Sequence, residues 1–273
     1  AVVIFFLLSC LASSLNPGTW WFISFLSLAF PFLLVAVIAF AITWLMVLKP
    51  RIAIISGVAL VLGIKSILVF FAFHAPTSFK SKKEQGNLRI VSWNVARFIE
   101  LKRNTNKGSQ TRLKMLELIK QQNADVLCLQ EFHTSLDSSY YNNIKAVQDL
   151  GYPHFYFSFD TDGDNHFYSS IIFSRYTIVD NGKISYYRRS LPDALIHADV
   201  KVGADTIRIY TTHLQSLQLG KNDYDRIGKI KSGEDSLVAN SRNILSKIKR
   251  GFTNRSLQAD VVDEVIGDSP HPV

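Results

Sequence analysis

An α+β layered sandwich carried behind N-terminal transmembrane helices is the architecture this sequence predicts, and three observations predict it. Residues 1–74 are apolar and nearly uncharged. Residues 88–150 read strand, helix, strand, helix. Beyond Pro153 one short strand follows another with turn signals between, the pattern of antiparallel sheets set beside the earlier helices.

Before Lys80 the only fixed charges are Lys49, Arg51 and Lys65, and the first acidic residue is Glu84. Ala1 to Ala12 is an apolar run with no charged region ahead of it and no initiating methionine, read as a membrane helix entered partway and not as a complete signal peptide. Trp20 to Leu48 runs 29 residues without a charge, more than the roughly 20 that span a bilayer. Trp20, Trp21 and Trp44 sit where interfacial anchors belong, and Pro31 is placed to kink the helix. Ile52 to Phe73 gives a second span of 22 residues, with Lys65 near enough to its end to snorkel. The basic turn Lys49-Pro50-Arg51 marks a cytoplasmic loop, so the domain after Phe73 is expected outside the cytoplasm, tethered by a multi-pass anchor and a polar linker over residues 75–87.

Residues 80–273 carry 27 Lys and Arg against 22 Asp and Glu. That excess suits an anionic substrate or lipid head groups but is too small to imply nucleic acid without a clustered basic face. Cys10 and Cys128 read as small buried hydrophobes and allow no disulfide framework. The sequence has no GxxxxGK loop to cradle phosphates, which argues against a nucleotide-triphosphate motor.

Leu88 to Val95 reads as a strand. Leu113, Leu116 and Ile119 line one face of a helix over Gln110 to Gln122, with Ser109 as its cap. Asp125 to Phe132 is apolar on both parities, as a strand buried on both faces must be. Tyr140 to Leu150 is helical and closed by Gly151 and Pro153. Strands follow at His154 to Phe159, Phe167 to Ser174, Leu195 to Val202 and Thr206 to Leu214, with turns at Asp162-Gly163, Asn181-Gly182 and Gly203-Ala204-Asp205. Leu217 to Glu234 reads as a loop, then Leu237 to Ile248 and Leu257 to Ile266 as two helices.

Three of these strands end in side chains capable of chemistry: Asn94, Glu131 and His213. His213 shares a face with Ile207 and Ile209, so it turns toward the core side of its strand. Other candidates are weaker. Asp160-Thr161-Asp162-Gly163-Asp164 resembles a calcium loop but has Asn165 in place of the required glycine and Ile171 in place of the bidentate glutamate, so it reads as a hairpin tip. Glu131 and His133 could share a metal only if the alternation continues past the strand end. Asn254-Arg255-Ser256 fits the glycosylation pattern, a frequent chance match.

Ser92-Trp93-Asn94-Val95, Leu129-Gln130-Glu131 and Thr211-Thr212-His213-Leu214-Gln215, in that order, resemble the successive motifs of the endonuclease/exonuclease/phosphatase superfamily, which includes deoxyribonuclease I-like nucleases and neutral sphingomyelinases. Ile171-Ile172-Phe173-Ser174 and the closing Ser-Pro-x-Pro-Val look similar as well. The resemblance covers residues 88–273, and with its anchor the chain is similar to membrane-tethered bacterial members. It implies a four-layer β-sandwich flanked by helices and a Mg²⁺-dependent hydrolase of phosphate esters, with Mn²⁺ as an alternative ion. It further implies that Glu131 anchors the metal, Asn94 orients metal or phosphate, and His213 contacts the phosphate. The chemistry agrees, because Mg²⁺ takes few protein carboxylates and keeps several waters.

The substrate implied is a phosphate ester of nucleic acid, phospholipid or inositol phosphate, and the second partner is the lipid bilayer. The family pattern continues after Ser-Pro-x-Pro-Val with G-D-F-N-D and later S-D-H, which carry the water-activating aspartate and the catalytic aspartate and histidine. This chain stops at Val273, so the expectation is an incomplete sandwich without its general base, inactive by itself, with the hydrolase activity belonging to the full-length protein. The competing reading is a membrane-tethered binding module on the same fold that does no catalysis.

Overall fold

A computed structural model describes residues 1–71, 83–84, 86–100, 102, 110–163, 165–186, 194–217, 219–232 and 237–273. Most of the linker expected over 75–87 lies outside the described residues, and so does Ser109, the expected cap. The chain divides into two units: Ala1–Ser78 with Ser216–Leu257, and Phe79–Gln215 with Gln258–Val273.

The first unit opens with α1 (Val2–Cys10), α2 (Trp21–Ser27), α3 (Phe30–Met46), α4 (Pro50–Leu62) and α5 (Ile64–Phe70). Both long spans expected from the sequence are broken: α2 and α3 are bent by 64°, α4 and α5 by 60°, and no single helix among the described residues is long and apolar enough to cross a membrane. Each break has a local cause. Pro31 stands in the first turn of α3, the one place where a missing N–H costs nothing, and a helix arriving from upstream cannot continue through it. At Gly63 a Cβ would lie 2.7 Å from the ring of the fully buried Phe6, so close approach of α1 requires glycine where α4 gives way to α5. Phe6, Phe30, Leu34, Val37 and Ala59 make the core of this bundle, while Phe32, Met46, Leu48 and Val69 are 76–86% exposed.

The second unit contains β1 (Ile90–Asn94), α6 (Gln110–Gln122), β2 (Val126–Ser135), α7 (Asn143–Gln148), β3 (His154–Phe157), β4 (His166–Ser174), β5 (Ile178–Ser185), β6 (Ala194–Val202) and β7 (Asp205–Thr211). One sheet has the order β1-β2-β4-β3, with β1 parallel to β2 and the other pairs antiparallel; the second is the antiparallel β5-β6-β7. β2 is buried on both faces, as its sequence demands. Leu127 and Leu129 pack with Met115, Ile119, Val147 and Tyr152 on the helix side, whereas Val126 and Cys128 meet Ile196, Ala198, Val200 and Ile209 of the second sheet. Each buried Leu, Ile, Val or Met among them contributes about 1.5–3 kcal/mol by leaving water.

Two sequence expectations fail here. Asn181-Gly182 is not a turn but the middle of β5, where Gly182 faces His197 and a Cβ would sit 2.6 Å from the imidazole. The glycine serves a close approach instead of a chain reversal. Residues 217–234 are not a loop throughout, because α8 (Lys221–Ser232) forms within them. Asp223 in its first turn is buried and accepts from the Gly220 N–H at 2.8 Å and from Lys247 Nζ at 2.6 Å, an arrangement suited to a helix N-terminus.

The two expected C-terminal helices are one, α9 (Leu237–Gly267). Gly251 does not interrupt it: a Cβ there would lie 2.5 Å from Leu217 Cδ2, and the roughly 1 kcal/mol of lost helix propensity is small in 31 residues. Val261, Val262 and Val265 of α9 cover Ile184, Tyr186, Leu195 and Tyr210 on the outer face of the second sheet. The second unit is therefore four layers deep: helices, sheet, sheet, helix.

Candidate active site

Period-2 alternation along β2 would send Glu131 into the helix-side core behind Leu127 and Leu129. A bulge prevents this. The β2–β4 register shifts between Leu129 and Phe132, Glu131 takes a left-handed φ of 51°, and Phe132 fills the core position instead. The Glu131 carboxylate is thereby turned out toward Asn94, whose Nδ2 donates to Oε1 at 2.8 Å. His213, two residues past β7, brings Nε2 to 3.6 Å from the same oxygen. The three residues singled out by the sequence thus meet at one point, with the Glu131 and His213 side chains each 28% exposed.

Asn94 is held as firmly as it holds its partner. Its Oδ1 accepts from the Ala96 N–H at 3.0 Å, closing an Asx-turn. Ala96, Arg97, Phe98 and Ile99 then all have φ between 44° and 65°. Left-handed backbone costs roughly 1–2 kcal/mol at each residue with a Cβ. The turn is retained because Phe98 is fully buried edge-on against Phe132, and Arg97 both lies 4.1 Å above the Tyr168 ring and pairs with Asp162 at 2.8 Å. Strain of this sort collects where a side chain must be aimed.

Beneath the site lies a polar tier to which sequence reasoning gave no role. Gln130 pairs in register with Asn94, and its buried amide donates to Ser92 Oγ at 3.0 Å and to Thr211 Oγ1 at 2.8 Å, joining one sheet to the other. The signal was present: Ser92 and Thr211 stand two residues before Asn94 and His213, and residues two apart share a strand face.

His133 does not join Glu131. The bulge separates them, and His133 is 2% exposed, stacked on His166 at 5.7 Å, with its Nδ1 buried and lacking a hydrogen-bond partner among the described residues. Burial, with His166 and Arg97 nearby, holds its pKa below the ordinary imidazole value. The Asp160 to Asp164 stretch is committed elsewhere as well, Asp160 to Lys183 and Asp162 to Arg97.

No cluster of three or more His, Cys, Asp or Glu around one point occurs among the described residues. The donors present fit a hard cation held through a single carboxylate. Oε2 of Glu131 makes no hydrogen bond among the described residues, so it is available to a cation that fills its other positions with water and substrate oxygens.

Residues 91–257 match the family model described as Endonuclease/Exonuclease/phosphatase family, and residues 1–70 match one described as a domain of unknown function, DUF8431. No curated protein matches. Among solved structures, the chain is similar to an endonuclease/exonuclease/phosphatase from Beutenbergia cavernae DSM 12333 at 17% identity, covering 53% of this chain and 42% of that one with a TM-score of 0.38. It is similar to D. rerio TDP2 humanized by 14 mutations at 21% identity, covering 54% of each with a TM-score of 0.36. It is similar also to truncated Caenorhabditis elegans TDP2 at 18% identity, covering 68% of this chain and 58% of that one with a TM-score of 0.38. The chain spans about half the length of these structures. With the family model matched across more than half of its residues, the chain belongs to the endonuclease/exonuclease/phosphatase family.

Proposed function

We propose that this site binds and hydrolyses a phosphate ester with the help of a Mg²⁺-class cation, Mn²⁺ being the alternative. The observation that carries the proposal is the meeting of Asn94, Glu131 and His213 within 3.6 Å of one carboxylate oxygen. A divalent cation bound there supplies neutralising charge to the phosphoryl oxygens. Glu131 would hold it by its carboxylate, which Asn94 keeps in one rotamer by donating to Oε1. His213 donates from Nε2–H to a phosphoryl oxygen and stabilises negative charge as it develops. Fixing Asn94 at the end of β1, Glu131 at the bulge in β2 and His213 just past β7 removes the cost of gathering them during turnover.

The experiment is a Mg²⁺ and Mn²⁺ titration of the full-length protein, wild type beside Glu131→Gln, with hydrolysis of DNA, sphingomyelin and inositol phosphates measured in parallel. Loss of ion affinity in Glu131→Gln with unchanged stability supports the proposal. Unchanged affinity with altered stability makes Glu131 a structural residue and sinks it. Inertness toward all three substrates favours the binding-module reading.

The first unit supplies attachment to a bilayer in this reading. Its support is the strongly exposed apolar surface of α3 to α5 and the two bent helix pairs, which by length and composition reach the requirement that neither member meets alone. Quenching of tryptophan fluorescence by doxyl-labelled lipid tests it, and unchanged fluorescence would refute it.

A further inference from the structure

Charge is distributed very unevenly between the two units. The unit that holds the apolar helices carries 12 of the 30 Lys and Arg but only 4 of the 22 Asp and Glu, so its formal charge of +8 equals that of the whole chain and the sheet unit is neutral. The excess concentrates in α9. Leu237–Leu257 contains Arg242, Lys247, Lys249, Arg250 and Arg255 and no acidic residue.

Arg242, Lys249 and Arg250 are exposed along one stripe of the helix, with Leu245 also exposed between them. The stripe adjoins the aromatic end of α2. Lys249 Nζ lies 4.7 Å from the Trp21 ring centroid, and Phe252 meets Phe25 edge-on at 5.6 Å. Trp20 and Trp21 remain 44% and 37% exposed. Cations, indoles and exposed apolar helices in one unit match the boundary between hydrocarbon and negatively charged head groups. Nucleic acid would account for the cations, but not for indoles and aliphatic surface beside them.

We infer that the Arg242, Lys249 and Arg250 stripe of α9 binds anionic phospholipid head groups. The inference rests on the bilayer attachment proposed above and adds to it a lipid class and a recognition surface. Each cation near such a surface strengthens binding by a comparable increment, and the effect is screened by salt.

The test uses the full chain reconstituted into vesicles of phosphatidylcholine alone and of phosphatidylcholine mixed with phosphatidylglycerol. Amide exchange over residues 242–255 is expected to slow about tenfold or more in the anionic vesicles. The slowing should vanish in the Arg242→Gln, Lys249→Gln, Arg250→Gln variant and in high salt, and persist in the Arg242→Lys, Lys249→Arg, Arg250→Lys variant. Doxyl-lipid quenching of tryptophan in both vesicle types reports attachment separately. Quenching with equal exchange in the two compositions overturns the head-group inference and leaves attachment standing. Charge-dependent slowing without quenching supports the inference and removes the embedding. Slowing by duplex DNA but not by anionic vesicles overturns it in favour of a nucleic-acid surface.

Discussion

Asn94 donates to the Glu131 carboxylate at 2.8 Å across the parallel β1–β2 pair, one residue out of register with it, because Asn94 stands opposite Gln130. The contact exists only because Glu131 adopts a left-handed backbone at the bulge. Geometry that a β-strand would not choose is what turns the carboxylate toward its partner.

That backbone predicts a stability difference. At a φ of 51° glycine is unstrained and alanine is not, so Glu131→Gly is expected to be more stable than Glu131→Ala by about 1 kcal/mol, the reverse of the order inside a regular strand. Both lose the carboxylate and, on the proposed function, both lose hydrolysis. Urea unfolding midpoints of the two variants decide the matter; equal midpoints would mean the strain is absent.

Asn94→Ala removes the donor that fixes Glu131 and the acceptor of the Asx-turn. A hydrogen bond to a charged group is worth roughly 1.5–3 kcal/mol, so on the proposed function turnover is expected to fall about 10- to 100-fold. Asn94→Asp keeps the turn but sets a carboxylate against Glu131, and should lose as much activity while unfolding at a denaturant concentration near that of wild type. Recovery of activity in Asn94→Asp would contradict the orienting role.

His133 and His197 both have pKa values lowered chiefly by burial, so the folded state holds them neutral. The unfolded chain protonates them near the ordinary value of about 6.5. Their contribution is complete above that pH and is lost as pH falls from it toward the lowered folded values. Unfolding midpoints are therefore expected to drop between pH 7.5 and pH 5, and less steeply in His133→Phe. A drop of the same size in that variant would assign the effect to other groups.

Asp199 is 1% exposed and accepts from Arg208 Nε and Nη2 at 2.6 and 2.7 Å, with His271 at 3.5 Å. These hydrogen bonds from the guanidinium hold the carboxyl below its usual range. The pair's contribution is present above the ordinary carboxylate pKa and disappears as pH falls through the folded value. Asp199→Asn leaves Arg208 without its buried counter-charge and is expected to cost about 3–5 kcal/mol in thermal or urea unfolding at neutral pH. A cost below about 1 kcal/mol would show that the pair is solvated.

Periodic elements were legible in the sequence. α6 occupies the expected residues, although its buried face is Arg112, Met115 and Ile119 and Leu113 of the expected face is exposed; β2 is buried on both faces as an apolar run on both parities requires. Elements whose burial is one-sided or slight were not: β5 is largely exposed and contains a glycine beside an asparagine, while α8 is mostly polar. Hydropathy also measures length and not direction, so it found the apolar spans without their bends; the proline itself marked the one near Pro31, and nothing in the sequence marked the one near Gly63. Asn94, Glu131 and His213 could be read because an apolar run gives way to a polar side chain at each, although only Asn94 closes its strand: β2 continues past Glu131 to Ser135, and His213 lies two residues beyond β7. The bulge that aims Glu131 could not, since a strict two-residue alternation places that side chain in the core.

His213 arrives from a different sheet than Asn94 and Glu131, so the width of the site depends on how the two sheets are set relative to one another. Gln130 is the side chain that spans that interval, reaching Ser92 on one side and Thr211 on the other. A buried amide beneath the site therefore ties together the two sheets that carry it. Trimming it by one methylene to asparagine would let the gap narrow or leave an amide stranded, and on the proposed function either outcome would change which phosphate esters fit before any reacting group had been altered.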